Sequence, residues 1–408
     1  MGDVVTTKIS GAPLVPGYED RMVAIFALAG GVAALDAQAV YYLMPRIVAD
    51  LGLTDAQVGI LGSAVLVGWS VAAFAFGQIS DRLGRRKPFL VLAFLAMAAL
   101  SGLSAIVATF VGLVVARVLM GLAEGPVIPV KQAIVMAEST PSRRGLNMGI
   151  VQNFGAQLLG TLIGPIAVVS IADAYGWRNA FLLSALPSIL VVWLILRYIR
   201  EPATEATSNA FVAPRSSLMS ILMRRNVFLC ALIGIANIAW FFVLLTFLPL
   251  ILTRQAGLSS QSMSYVMAMI GAAGAVSALL VPGLSDRIGR KTAIAIFSAV
   301  GVVAPLGAIL LGGNPWLVGL ALFCGCMLLG TMPLFMATVP QESVLPADRA
   351  TATGLVLGIG QLLGGTIGPI VGGQLSANFG PMAPMWLAGG LAALAGLLAL
   401  FLVPQKLT

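Results

Sequence analysis

Asp36, Arg117, Glu124 and Lys131 are ionisable residues set deep within apolar stretches, where their chemistry is that of carrying charge rather than breaking bonds. Arg117, Glu124, Lys131 and Glu138 recur every seven residues with alternating sign. Seven residues make nearly two helical turns, so the four are expected on one helix face, roughly 10 Å apart along its axis. Neighbours at that spacing do not pair with one another, and each charge needs a partner on another helix or a water-filled cavity. A carboxylate in a low-dielectric site binds a proton more readily, whereas a nearby arginine holds it ionised until the contact breaks. Asp36 beside Arg117 is expected to form such a switch, with Glu124 as a second proton carrier. The competing reading is a permanent charge pair that only fixes helices 1 and 4. Lys131 is expected to bind the negative group of a substrate, and its competing reading is a lysine that snorkels to the nearby interface.

The elements that position these residues follow from composition. Of 408 residues, 59% are hydrophobic and 9% charged, with a mean hydropathy of +1.01, which excludes a soluble domain. Apolar runs long enough to cross a bilayer as helices lie at about 22–45, 57–79, 88–108, 111–137, 146–171 and 179–197. Six more lie at about 227–252, 263–284, 292–311, 316–339, 352–376 and 383–403. The expectation is an all-α membrane protein of twelve transmembrane helices, with no β-barrel alternation. Residues 1–21 lack the pattern of a cleaved secretory signal.

The net charge of +8 does not imply nucleic acid once its residues are placed. With the amino terminus inside, 18 of the 23 Lys and Arg fall on cytoplasmic segments and only Arg46, Arg178 and Arg254 outside, a positive-inside bias. Both termini are therefore expected in the cytoplasm. Cys230, Cys324 and Cys326 lie in apolar runs and there is no histidine, so neither a disulfide framework nor a zinc site is expected. The missing histidine and the absence of a nucleophile motif also argue against an intramembrane enzyme. No cofactor is expected other than protons as the coupling ion.

The chain repeats itself. Ser80-Asp81-Arg82-Leu83-Gly84-Arg85-Arg86 returns as Ser285-Asp286-Arg287-Ile288-Gly289-Arg290-Lys291. Gln157-Leu158-Leu159-Gly160 and Gly164-Pro165-Ile166 return as Gln361-Leu362-Leu363-Gly364 and Gly368-Pro369-Ile370. Glu138-Ser139 returns as Glu342-Ser343. Two homologous bundles are therefore expected at 22–197 and 227–403, joined by a cytoplasmic linker at 198–226, with tails at 1–21 and 404–408. Parallel repeats of this kind enclose a midplane site and expose it to each side in turn. Gly145/Gly149, Gly160/Gly164, Gly354/Gly358 and Gly364/Gly368 are read as close helix-packing faces, and Pro165 and Pro369 as bends in helices 5 and 11. Neither glycine-rich stretch near 283–292 or 358–364 fits a nucleotide-binding pattern.

Gly77-x-x-x-Asp81-Arg82-x-Gly84-Arg85-Arg86 resembles the signature loop of the major facilitator superfamily, and the resemblance extends from about residue 20 to 403. The second copy, with Asp286, Arg287, Gly289 and Arg290, has Pro282 in place of the leading glycine. The resemblance implies two pseudo-symmetric six-helix bundles, with Glu138–Arg85 and Glu342–Arg290 as gating contacts. Arg117-x-x-x-Gly121-x-x-Glu124-x-x-x-x-Pro129 further resembles helix 4 of the anion:cation symporter group. That likeness implies proton-coupled uptake of an organic anion through Asp36, Arg117 and Glu124. Ala37 stands where that group often has an arginine that assists anion binding, a departure for which Lys131 offers a replacement charge.

Gln38, Tyr41 and Tyr42 in helix 1, Gln157 in helix 5, Asn237 and Trp240 in helix 7 and Gln361 in helix 11 are candidates to complete the substrate site, each with packing as the alternative. Because every deep ionisable residue is in the first half, the second bundle is expected to supply shape and hydrogen bonds. A substrate with a charged end and a less polar body follows, such as an aromatic carboxylate or a sugar acid. The alternatives are a proton-coupled drug exporter, against which Ile166-Ala167-Val168-Val169 lacks the exporters' glycine pair, and a lipid transporter of the same fold. A membrane receptor or sensor would call for a soluble signalling domain. A monomer in a bacterial inner membrane is expected.

Overall fold

The computed structural model describes residues 17–83, 86–201 and 216–403, without the side chains of 73–83 and 153. Among the described residues, twelve apolar helices follow one another and form two bundles. The first holds α1 (Tyr18–Leu51), α2 (Asp55–Leu83), α3 (Lys87–Ile106), α4 (Phe110–Glu138), α5 (Arg144–Tyr175) and α6 (Trp177–Tyr198). The second holds α7 (Arg225–Gln255), α8 (Ser260–Ile288), α9 (Arg290–Leu310), α10 (Pro315–Glu342), α11 (Pro346–Phe379) and α12 (Ala383–Ala399). At 1.5 Å per residue α1 to α11 are long enough to span a hydrocarbon core, and α12, of 17 residues, is a shorter apolar helix. α1 starts at Tyr18, ahead of the apolar run expected from about residue 22. The linker likewise contains a short helix, Leu218–Leu222, before α7 begins.

Helix ends follow from backbone freedom. Gly176 and Gly380, equivalent in the two halves, have φ of +85° and +95° and let the chain reverse from α5 into α6 and from α11 into α12. Gly289 (φ +90°) does the same between α8 and α9, where a side chain would be strained. α4 departs from the seven-residue stripe. It is interrupted at Gly125–Pro126, dividing it into Phe110–Glu124 and Val127–Glu138. Pro126 and Pro129 cannot donate backbone hydrogen bonds, which accounts for the break, while Gly125 and Pro126 keep helical torsions. Arg117 and Glu124 belong to the first part, Lys131 and Glu138 to the second.

α5 and α11 carry a matched irregularity. Wide, π-helical turns occupy Ala156–Ile163 and Gly360–Ile367, each ending at a Gly-Pro step, Gly164-Pro165 and Gly368-Pro369. Proline leaves carbonyls of the preceding turn without their usual donor, and a π-helical turn accommodates that loss.

The bundles meet closely at one end, here termed the Asp55 end. A Cβ at Gly59 of α2 would stand 2.3 Å from the Pro369 carbonyl oxygen of α11, and one at Gly373 would stand 2.6 Å from the Asp55 carbonyl oxygen. Gly271 of α8 is pressed similarly on Leu162 of α5. Among the described residues, two side-chain hydrogen bonds cross between bundles: Ser63 Oγ to the Thr366 carbonyl (2.6 Å) and Ser376 Oγ to Asp55 (2.6 Å).

Towards the opposite end, which contains Arg143, the bundles part. Among the described residues, Gly145, Gly149, Gly354 and Gly358 have no neighbour within 4 Å of a Cβ position. The packing role read for these four glycines is thus corrected as far as the described residues go: none of those lies against them. Gly160 and Gly364 do pack, against Ala34 of α1 and Ile235 of α7.

Closure at the Asp55 end therefore depends on bare backbone at Gly59. The cysteine pair Asp55→Cys/Ser376→Cys is expected to cross-link readily, and Gly59→Val to lower that yield several-fold by holding α2 away from α11. An unchanged yield would show that the end closes without this contact.

Candidate functional site

Gly121 allows α4 to lie on α2: a Cβ there would be 1.9 Å from the Val65 carbonyl oxygen, and one at Gly68 would be 1.9 Å from that of Val118. This backbone contact sets the depth of Arg117, one turn earlier on α4. Arg117 and Asp36, midway along α1, are both fully buried.

The two charges are close enough to act on each other electrostatically, but they form no direct ion pair. Serines stand around them instead. Asp36 Oδ1 accepts hydrogen bonds from Ser101 of α3 and from Ser184 of α6, the latter at 3.0 Å. Arg117 Nη2 donates to Ser104, one turn along α3 from Ser101. The Arg117 guanidinium also lies over the Phe181 ring, 4.7 Å from its centroid, and Phe181 is one turn before Ser184 on α6. Asp36 Oδ2 and Arg117 Nε and Nη1 have no hydrogen-bond partner. Helices 3 and 6 thus hold an acid and a base apart while leaving each with unused capacity.

Glu124 is half-buried and makes no hydrogen bond among the described residues, although Asp36 and Lys131 both act on it electrostatically. Lys131 does not snorkel. It is 2% exposed, and its Nζ donates to the Val151 carbonyl at 2.9 Å, within a π-helical turn of α5. Its ammonium occupies the space a side chain at Gly30 would fill, so it sits between α1 and α5.

The polar candidates separate by location. Tyr41 donates to the Gly62 carbonyl at 2.8 Å, and its ring lies 6.3 Å from that of Phe242 on α7. Tyr42 lies within hydrogen-bond distance of Gln38 (2.7 Å) and of the Gly160 carbonyl (2.9 Å), tying α1 to α5. The Gln157 amide crosses to α8, where it abuts Gly274. Gln361 Oε1 is buried without a partner. Asn237 and Trp240 are placed otherwise than the sequence suggested: both are fully buried within the second bundle, Asn237 against Ser298 (3.4 Å) and Trp240 against the Gly301 carbonyl (3.2 Å). Both bonds hold α7 on the α9 segment.

At the Arg143 end, Arg290 hydrogen-bonds Ser285 (2.8 Å) and Asp286, and its Nε stands 3.7 Å from Glu342. Arg287 is exposed in the last turn of α8, ahead of Gly289. Glu138 feels the charge of Arg200 on the segment after α6. Gly77 lies within α2; Gly84 and Arg85 lie outside the described residues, as do the side chains of Asp81 and Arg82, so the Glu138–Arg85 contact also falls outside them.

The model of the Major Facilitator Superfamily matches residues 26–362. The chain belongs to this superfamily and is a multi-pass membrane transporter, not an enzyme. It is 31% identical over 360 residues to a probable 4-methylmuconolactone transporter of Cupriavidus pinatubonensis, covering 85% of this chain and 81% of that one. It is 27% identical to the 4-hydroxybenzoate transporter of Pseudomonas aeruginosa, over 91% of this chain and 89% of its relative. In fold it is similar to the crystal structure of a bacterial homolog to the human lysosomal transporter Spinster in an inward-facing and occupied conformation. That similarity has a TM-score of 0.79 at 18% identity and covers 94% of this chain and 97% of the other.

Ser101, Ser104, Ser184 and Phe181 escaped the sequence reading because single serines and phenylalanines are ordinary in apolar helices. The available signal was the spacing of Ser101 and Ser104, which places two hydroxyls on one face of an otherwise apolar span.

If Asp36 depends on these hydroxyls, Ser101→Ala is expected to destabilise the protein by about 1–3 kcal/mol, the range for losing a hydrogen bond to a buried charge. The same change is expected to cost markedly less in an Asp36→Asn background, as read by a double-mutant cycle on reversible unfolding in mixed micelles. Equal costs in both backgrounds would show that Ser101 acts by packing alone.

Proposed function

We propose that this transporter carries out proton-coupled symport of a small organic anion by alternating access. The observation that carries this reading is the buried Asp36–Arg117 arrangement, in which serines separate the charges and each retains unused hydrogen-bonding capacity. A tightly paired carboxylate and guanidinium would satisfy one another and resist change. The separated pair can instead exchange partners: Asp36 takes up a proton, its hold on Arg117 weakens, and the guanidinium becomes available to an anion. Glu124, with no hydrogen bond of its own, is suited to pass the proton on.

The anion is a carboxylate with a ring or similar less polar body. Arg117 supplies charge for the carboxylate, and the half-buried Phe241 and Phe242, whose rings are 5.1 Å apart, offer aromatic surface. The names of the two relatives agree with this class, since each denotes a transporter of an organic anion. Lys131 is assigned a secondary role, because its ammonium is buried between α1 and α5.

By the distribution of Lys and Arg, the Arg143 end is cytoplasmic, both termini are inside, and the conformation opens inward. Arg290 with Glu342 forms one half of a cytoplasmic gate, and Glu138 with the first signature loop forms the other. The membrane assigned is the bacterial inner membrane.

The test is uptake into proteoliposomes under an imposed pH gradient, acid outside, with 4-hydroxybenzoate as the probe and a lipophilic cation as the contrasting substrate. Gradient-driven accumulation of the anion is expected. Asp36→Asn and Glu124→Gln are each expected to lower uphill uptake by about tenfold or more, the scale of losing a positioned proton-transfer group, while counterflow exchange continues. Full proton-driven uptake in both variants, or accumulation of the cation instead, would overturn the assignment.

A further inference from the structure

A hollow of about 480 Å3 lies at the Arg143 end of the first bundle, apart from Asp36, Arg117 and Glu124. Arg21 of α1, Lys87 of α3, and Arg197 and Arg200 at the end of α6 all line it. Glu201 lines it as well, its carboxylate accepting from the backbone amides of Arg86 and Lys87 at the start of α3. The other carboxylates nearby are engaged elsewhere. Glu19 is held by Asn147 at 2.6 Å and by Thr140. Asp20 bonds Arg143 at 2.6 Å, which holds that guanidinium above its ordinary pKa. Glu138 feels Arg200 but forms no ion pair with it among the described residues.

The cations are fixed without being neutralised. Arg200 lies over the Tyr18 ring at 5.0 Å, Arg197 over the Tyr198 ring at 5.4 Å, and Lys87 Nζ donates to the Leu196 carbonyl at 3.0 Å. Among the described residues, four positive groups therefore face a space whose lining holds a single carboxylate, that of Glu201.

A second feature indicates what fills that space. Leu186, Leu190, Trp193 and Leu196 follow one another at helical spacing along α6, each about half exposed on its outer side. This ridge runs through the membrane-spanning part of α6 and ends at the hollow. Trp193 meets Tyr198 edge to face at 5.9 Å, and such aromatic residues favour the headgroup level of a bilayer. A cationic hollow above an apolar ridge matches an amphiphile with an anionic head and hydrocarbon tails.

We propose that this hollow binds the phosphate of an anionic phospholipid, with Arg21, Lys87, Arg197 and Arg200 around the headgroup and the acyl chains along α6. Such a lipid would brace α1, α3 and α6 at their shared end.

Native mass spectrometry of the purified full-length protein, in micelles containing phosphatidylglycerol and phosphatidylcholine, tests the site. Retention of phosphatidylglycerol in preference to phosphatidylcholine is expected. Arg21→Gln with Arg197→Gln should lower it by roughly tenfold or more, from about 1 kcal/mol for each basic residue at a membrane surface. Arg21→Lys with Arg197→Lys should preserve it. Should the double glutamine variant lose its monodisperse form, Arg21→Gln alone decides, with an expected loss of roughly fivefold. Equal retention by the wild type and the glutamine variant would overturn the site. Displacement of the lipid by free glycerol phosphate would overturn the lipid assignment in favour of a soluble phosphate.

Discussion

A charge carried into hydrocarbon must be solvated by the protein itself, and most of the first bundle is arranged around that requirement. Asp36 and Arg117 would be expected to collapse into a direct pair, since their attraction is strongest where water is excluded. They are kept apart because Ser101, Ser104 and Ser184 supply the hydrogen bonds that each would otherwise seek from the other. The hydroxyls come from α3 and α6, so the positions of those helices decide how far the pair is separated. Lys131 meets the same requirement differently. It uses a carbonyl at a wide turn of α5, an irregularity that makes an acceptor available inside the bundle.

Glycine shapes the structure at a second level, by determining where backbones touch. α2 rests on α4 at Gly68 and Gly121, and α2 rests on α11 at Gly59 and Gly373. The first contact lies within one bundle and positions Arg117. The second lies between bundles and closes one end. Equivalent small residues at Gly145, Gly149, Gly354 and Gly358 meet no neighbour among the described residues, although their sequence spacing is no different.

Much of the architecture was legible from the chain. Apolar run length indicated the helices, and the return of Gln157, Gly164-Pro165 and the Ser80–Arg86 loop indicated two bundles. Asp36 and Arg117 could be singled out because charge in such a stretch is costly and therefore conspicuous. The serines could not be, since a hydroxyl in an apolar helix can bond its own backbone and carries no comparable penalty. Asn237 and Trp240 were ambiguous for a related reason: each has a polar group that serves equally well at a substrate or at a neighbouring helix. The heptad stripe of α4 gave no warning of the interruption at Gly125–Pro126, since seven-residue spacing is the same with or without it.

The sequence by itself determined which residues must be buried in the membrane, how many times the chain crosses it, and which charges require partners, because these follow from transfer energies summed over local segments. Only the tertiary structure decided who those partners are. Asp36 meets hydroxyls 65 and 148 residues away, and Arg117 meets the ring of Phe181 rather than a carboxylate. Such contacts depend on rotamers and on backbone approaches of a few ångströms between helices distant in the chain. Those distances are set by packing, which no local pattern encodes.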